Sequence, residues 1–338
     1  MVITRFAPSP TGLLHLGHAL AAQVAWEQSQ VAGGQFLLRI EDIDFTRCRP
    51  EYESAISEDL AWLGFSWPEP VWRQSGRMAH YAAALEKLQQ LGLLYPCFCT
   101  RQEIAHAVTA PQGETAPVYP GTCRPLSAGE RASRMAAGDA YAWRLDARRA
   151  LLLTGPLTWE DDLAGPQLVN PALLGDVVLA RKDVAVSYHL AVTVDDAAQG
   201  VTLVTRGKDL FDSTHVHRQL QALLDLPVPR WHHHRLICDE SGKRLAKRDA
   251  ARSLRSLREA GISSDQVREM FGENGMEPRR WLRGLENLLL HVTYFGHFPS
   301  TKFRGTSCFG SITACFTRSR FQVQVACTLP SAAWISAG

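Results

Sequence analysis

The sequence has no run of about 18 uncharged apolar residues, the length a membrane-spanning helix needs. No membrane partner is expected. Its first residues, Met1-Val2-Ile3-Thr4-Arg5, lack a charged stretch followed by an apolar one. A secretory signal is therefore not expected, and a cytoplasmic setting follows. Charge of either sign is not in excess, since 36 Lys and Arg stand against 34 Asp and Glu. A near-neutral chain neither supports nor excludes a nucleic-acid partner, so only local patches can argue for one. There is no internal repeat and no long low-complexity linker. One stretch lacks acidic residues altogether. From Asn287 to Gly338 there is no Asp or Glu, and Cys308, Cys315 and Cys327 lie among Ser, Thr and Phe. That composition does not suit a regular helical domain and is expected to be an atypical, non-homologous tail. What is present suffices for a large core: 338 residues, 46% hydrophobic, suggest two or three domains. Eight cysteines without a secretory signal read as ligands or buried thiols rather than disulfides. A monomer is expected.

The most informative stretch runs from Arg5 to His18: Arg-Phe-Ala-Pro-Ser-Pro-Thr-Gly-Leu-Leu-His-Leu-Gly-His. Val2 to Phe6 alternates as a short strand. Pro8, Pro10 and Gly12 break it, because proline offers no amide and glycine permits a tight turn. From about Gly17, the spacing of Ala19, Leu20, Val24 and Ala25 predicts a helix with one buried face. Strand, rigid loop and helix together aim a helix N-terminus and two imidazoles at one point, which suits a phosphate.

This string resembles the HIGH signature of class I aminoacyl-tRNA synthetases, in the form used by their glutamyl/glutaminyl branch. The resemblance implies an α/β fold, a Rossmann-like nucleotide-binding domain. It also implies ATP with Mg²⁺ as cofactors, with His15, Gly17 and His18 at the nucleotide and His15 and His18 as catalytic residues.

Gln35 to Ile40 reads as a second strand, ending in Arg39-Ile40-Glu41-Asp42-Ile43-Asp44. Acidic groups at the C-terminal edge of a parallel strand lie where open α/β sheets bind ligands. The same family has this sequence after its HIGH region, where the position of Glu41 meets the amino group of the amino acid. Helices are expected over Pro50–Leu63 and Ser75–Leu91, the second with Ser75 as N-cap and Gly92 past its end. Val201–Thr205 reads as a buried strand ending in Arg206, and Asp212–Leu224 as a helix. The resemblance places Arg5, Ala7, Ser9, Glu41, Tyr188 and Arg206 around L-glutamate. The chemistry agrees for the two arginines, because a planar guanidinium grips a carboxylate through parallel hydrogen bonds.

Cys97-Phe98-Cys99, followed some twenty residues later by Cys123, has the spacing of a structural zinc site. Three thiolates leave a fourth position, for which His106 and Tyr119 are the candidates. Ligand chemistry favours the histidine, since phenolate is an uncommon ligand. The resemblance favours Tyr119, because Cys-x-Cys…Tyr-x-x-x-Cys occurs in short glutamyl-synthetase paralogues. Three buried free cysteines are the plainer alternative. His232, His233 and His234 do not make a metal site, because neighbours along a strand point to opposite faces.

Arg244-Leu245-Ala246-Lys247-Arg248 resembles the KMSKS loop of the family, with Arg244 in place of its first lysine and Ala246 in place of its serine. Lys247 keeps the second lysine and is the third expected catalytic and ATP-binding residue. Arg252, Arg255 and Arg258 recur every three residues and share a helical face, which is the best local candidate for a phosphate-backbone contact, with a solvated face as the alternative. The resemblance fades after about Gly272.

The expected organisation is a first catalytic half (1–90), a zinc-bearing α/β insertion (91–175), a second half (176–250), a short helical stem (251–286) and the tail (287–338). With only 90 residues after Arg248, no anticodon-binding domain is expected. The chain therefore most resembles the short paralogues that activate glutamate without tRNA. Those attach it to the queuosine base at the wobble position of tRNA(Asp); a truncated glutamyl-tRNA synthetase that charges a tRNA 3′ end and a non-catalytic tRNA- or protein-binding paralogue are the alternatives.

Overall fold

The structure is a computed structural model, and it describes residues 1–100, 102–104, 118–181, 186–237 and 253–271. Ten strands carry the fold: β1 (Ile3–Phe6), β2 (Gln35–Ile40), β3 (Trp72–Arg73), β4 (Leu94–Cys97), β5 (Ala142–Leu145), β6 (Thr158–Asp161), β7 (Gly165–Leu168), β8 (Val178–Arg181), β9 (Leu203–Gly207) and β10 (Arg230–His234). The helices are α1 (Leu16–Val31), α2 (Pro50–Trp62), α3 (Met78–Gln90), α4 (Ala128–Ala136), α5 (Ala147–Thr154), α6 (Tyr188–Ala198), α7 (Ser213–Leu224), α8 (Leu254–Glu259) and α9 (Ser264–Glu269).

Strands β1, β2 and β3 pair in parallel, as do β9, β10 and β6, with β7 antiparallel at the far edge. The two groups meet where Thr202 donates its amide to the Ile3 carbonyl at 3.0 Å. This puts β1 beside β9, at the centre of a doubly wound arrangement in which α1, α2 and α7 connect parallel neighbours. In open α/β sheets a ligand crevice forms at such a reversal of strand order, beyond the C-terminal strand ends. Arg5, Glu41 and Arg206 all sit there.

Helix α1 forms as its pattern predicts. Ala19, Leu20, Val24 and Ala25 are buried against the sheet, and each fully buried Leu or Val contributes roughly 1.5–3 kcal/mol. Gly34 is required by a close approach, because a Cβ there would stand 2.0 Å from the Val2 carbonyl oxygen. The helix expected at Ser75 starts later. Residues Gln74–Arg77 form a 3₁₀ turn, and Ser75 donates its amide and hydroxyl to Asp42 (2.8 and 2.6 Å) instead of capping α3.

The stretch 91–175 is divided between two sheets. Strands β4, β5 and β8 form an antiparallel sheet of their own. The β6–β7 hairpin extends the main sheet instead, through the pairing of Asp161 with Trp231 on β10. Trp159 and Trp231 pack edge to face there, with centroids 5.6 Å apart.

Candidate active site

His15 caps α1. Its Nδ1 accepts the Gly17 amide at 3.1 Å, and its own amide donates to His18 Nδ1 at 3.2 Å. Each Nδ1 being an acceptor places the proton of the neutral ring on Nε2, the donor that a phosphate oxygen needs. The rings lie 3.9 Å apart. Gly17 gives the cap its room, since a Cβ there would meet the His15 ring at 3.0 Å. Ser253 forms a β-bridge with His15, and Leu254 donates its amide to the Leu14 carbonyl at 2.8 Å. The segment after the KMSKS-like loop is thereby tied to the HIGH-like loop. Lys247, with Arg244 and Ala246, lies outside the described residues, as do His106, Arg252 and the tail 287–338.

A buried charge cluster sits at the strand ends. Arg5 holds Asp196 through two bonds, Nε to Oδ1 at 3.0 Å and Nη2 to Oδ2 at 3.3 Å, and donates to the Thr205 carbonyl. Arg39, with no exposed side-chain surface, donates to Asp196 at 2.8 Å, Gln199 at 2.9 Å and Glu41 at 3.1 Å. Asp195 accepts from Gln74, Arg77 and Tyr81. Burial alone would raise the Asp196 pKa; the charges of Arg5 and Arg39 outweigh it and hold the carboxyl below its ordinary value. Burial pushes Glu41 up, against the pull of Arg39 and Arg5.

Arg206 differs. It is 5% exposed. Its donors reach His233 Nε2 (3.1 Å), the Tyr188 hydroxyl (3.3 Å), His217 Nδ1 (3.2 Å) and Thr214 Oγ1 (2.5 Å). All four are neutral acceptors, and among the described residues no carboxylate forms an ion pair with it. Burial lowers its pKa accordingly. Tyr188 is raised by burial, and the charges acting on it are Arg206, Glu41 and Arg5, so these groups surround one phenol. Tyr188 also lines a cavity of about 370 Å³, together with Ser9, Glu41, Arg47, Arg181 and Ser187. Ser9 Oγ lies 3.8 Å from Cys48 Sγ, and Ala7 is half-buried at the end of β1.

The structure therefore brings Arg5, Glu41, Tyr188 and Arg206 together, with Ser9 on the cavity wall. Sequence reasoning assigned no role to Arg39, Asp195, Asp196, Thr214 or His217. Arg39 and the Asp195-Asp196 pair were visible as charges in otherwise apolar elements, which is the signal of a buried ion cluster.

The three cysteines converge. The Sγ atoms of Cys97, Cys99 and Cys123 lie within 4.8 Å of one another, and those of Cys99 and Cys123 are 3.5 Å apart. The Tyr119 hydroxyl stands 3.8 Å from Cys99 Sγ and accepts the Cys123 amide at 2.8 Å. Burial pushes Cys99 up to about 12. Cys123 is lowered, because hydrogen bonds from the Phe98 amide, Tyr119 and Cys99 outweigh its burial. Three thiols and a phenol around one point fit a tetrahedral zinc ion, with Tyr119 the fourth candidate donor among the described residues.

The expected phosphate-binding face on α8 is turned inward in part. Arg255 and Arg258 both approach Glu58 of α2 at 3.7 Å, and Arg258 also approaches Asp59 at 3.7 Å.

Residues 1–294 match the family model for tRNA synthetases class I (E and Q), catalytic domain, so the similarity runs past Gly272. A Rhodobacter capsulatus protein named glutamyl-Q tRNA(Asp) synthetase is 50% identical over 282 residues, 80% of this chain and all of that one. A Symbiobacterium thermophilum protein of the same name is 43% identical, covering 79% of this chain and 84% of its own. Among solved structures, the glutamate tRNA ligase of Elizabethkingia meningosepticum, in complex with its amino acid, superposes with a TM-score of 0.62 at 31% identity. The match covers 74% of this chain and 52% of that one, so this chain spans about half that protein's length. The chain belongs to the class I tRNA synthetases (E and Q) and is a ligase of that class.

Proposed function

We propose that the chain activates L-glutamate with ATP, without tRNA, and then transfers the glutamyl group to the queuosine base at the wobble position of tRNA(Asp). The observation that carries the first step is Arg206. A buried guanidinium whose partners among the described residues are all neutral retains a desolvation penalty of several kcal/mol, which an incoming carboxylate relieves. Arg5 differs in being already neutralised by Asp196, so Arg206 is the better match for the substrate's side-chain carboxylate. Tyr188 and Ser9 border that position. Glu41 supplies the acidic group for the α-amino group.

The α-carboxylate then attacks the α-phosphorus of ATP, and pyrophosphate leaves. The protein aligns two anions and stabilises spreading charge. His15 and His18, with protons on Nε2, face the phosphates at the N-terminus of α1. Lys247 supplies a cation to the departing pyrophosphate. Magnesium enters with the nucleotide. Cys97, Cys99, Cys123 and Tyr119 would hold a zinc ion whose role would be structural. The second step rests on the glutamyl-Q tRNA(Asp) synthetases that align over most of the chain.

Glutamate-dependent ATP–pyrophosphate exchange in the absence of tRNA tests this. The wild type supports exchange, Arg206→Ala loses at least 100-fold, and glutamine is rejected by roughly 10⁴-fold. Transfer to tRNA(Asp) requires queuosine. Exchange that appears only on adding tRNA(Glu) would instead mark an enzyme that charges a tRNA 3′ end.

A further inference from the structure

Arg206 is oriented by a chain that ends on the β6–β7 hairpin. Its Nε donates to His233 Nε2 at 3.1 Å, and His233 Nδ1 lies 2.6 Å from Asp161 Oδ2. The side chains of His233 and Asp161 are each 1% exposed. Asp161 is fully occupied as an acceptor. Its Oδ1 takes the amides of Leu163 (3.1 Å) and Ala164 (2.9 Å), and its Oδ2 also takes the His233 amide (3.2 Å).

Donor and acceptor logic leaves one arrangement. A guanidinium cannot accept, so His233 Nε2 must present its lone pair to Arg206. An ionised carboxylate cannot donate, so the imidazole proton must sit on Nδ1. The surroundings keep both groups in these states. Burial and Arg206 drive the His233 pKa down to about 4 against the opposing pull of Asp161. Asp161 is held below its ordinary value because the His233 and turn-amide hydrogen bonds outweigh its burial.

We propose that Asp161 is a positioning residue for glutamate specificity: it fixes the Nδ1–H tautomer of His233, and that tautomer holds Arg206 in the orientation that receives the substrate carboxylate. This rests on the reading of Arg206 given above. It also gives the hairpin a task. Pairing of β6 with β10 places Asp161 opposite Trp231, on the side of the His233 strand away from the β9 strand that carries Arg206.

The test is Asp161→Asn. The amide oxygen can keep the turn amides, while its NH₂ gives up the His233 backbone amide, faces His233 Nδ1 and favours the opposite tautomer. Nε2–H then opposes Arg206 Nε–H, donor against donor. The KM for glutamate in the exchange reaction is expected to rise at least tenfold, with the KM for ATP within twofold of wild type. Asp161→Glu, which keeps the carboxylate, restores part of the loss. In protein carrying ¹⁵N-histidine, long-range proton–nitrogen correlations report the His233 tautomer directly. The wild type should show the proton on Nδ1. An Nε2–H signal for wild-type His233 overturns the proposal whether or not the variant folds, and so does an Asp161→Asn enzyme whose glutamate KM is within twofold of wild type. A wild type with no glutamate-dependent exchange would instead sink the reading of Arg206, since the tautomer is measured without substrate.

Discussion

Arg5 and Arg206 end neighbouring strands and are buried to the same degree, yet their surroundings are opposite. Arg5 shares Asp196 with Arg39, whereas among the described residues Arg206 has only uncharged acceptors. The first arrangement is a structural clamp; the second has the electrostatics that the proposed anion receptor needs. Removing the clamp's anion has a definite consequence. Asp196→Ala leaves two guanidiniums buried without their shared carboxylate, and breaking such a cluster costs about 3–5 kcal/mol. Urea denaturation should show that loss. Arg206→Ala should be much milder by the same measurement, because it removes a buried charge that no carboxylate compensates. Equal losses for the two variants would contradict the distinction. Of these residues, Arg5, Glu41, Tyr188 and Arg206 were legible in the sequence, because motif order and the strand-end rule point at them. Asp196 and Arg39 were not assigned, since their pairing spans 157 positions and nothing local announces it.

At the level of elements, α2 and α8 meet across one badly placed carboxyl. Asp59 is fully buried in α2, neither of its side-chain oxygens has a hydrogen-bond partner among the described residues, and Arg258 stays 3.7 Å away. Burial raises its pKa to about 6, with Arg258 and Arg255 opposing only in part. A carboxyl raised in the folded state favours folding when protonated. Its stabilisation is complete below the unfolded value near 3.8 and is lost as pH climbs through about 6. Asp59→Asn removes that dependence. The stability of the variant relative to wild type should therefore increase by about 2 kcal/mol between pH 4 and pH 7. Denaturation of both proteins at the two pH values measures it, and a constant difference would refute it. The inward turn of Arg255 and Arg258 belongs to the same packing. Their three-residue spacing was legible, but a spacing shows that residues share a face, not what that face meets. Most helices and strands were legible to within two or three residues because their apolar periodicity is strong. Helix α5 was missed: its run Ala147–Thr154 is polar early and exposes Leu152 and Leu153, so no buried face shows in its pattern. The hairpin's place in the main sheet was also illegible, because pairing with β10 depends on residues seventy positions away.

For the whole molecule, the question is how far the cysteine cluster and the arginine site depend on each other. The cluster has its own small core of Tyr95, Cys97, Phe98, Tyr119 and Cys123. It is fastened to the rest through Asp176, which accepts from Tyr95 (2.5 Å), Arg124 (2.5 Å) and the Ala147 amide (3.0 Å). The link to the site is one-sided. Strand β8 lends Val178 and Ala180 to the cavity wall, whereas Arg5, Glu41 and Arg206 stand at the ends of main-sheet strands. If the cluster holds zinc as proposed, stripping it with a chelator, or Cys99→Ser, removes a staple from a body too small to hold itself together. Melting should then show an early transition from this part, and bound zinc should fall in proportion. Glutamate-dependent exchange is expected to stay within about threefold of wild type, because every group assigned to glutamate and phosphate lies outside the cysteine core. Under the proposed function, in which the cysteine-bearing segment is expected to meet the tRNA, transfer should fall by more than tenfold. Loss of both activities in step would mean that the two sheets act as one unit and that the metal supports the arginine site as well. Retention of both would mean that the staple serves neither step.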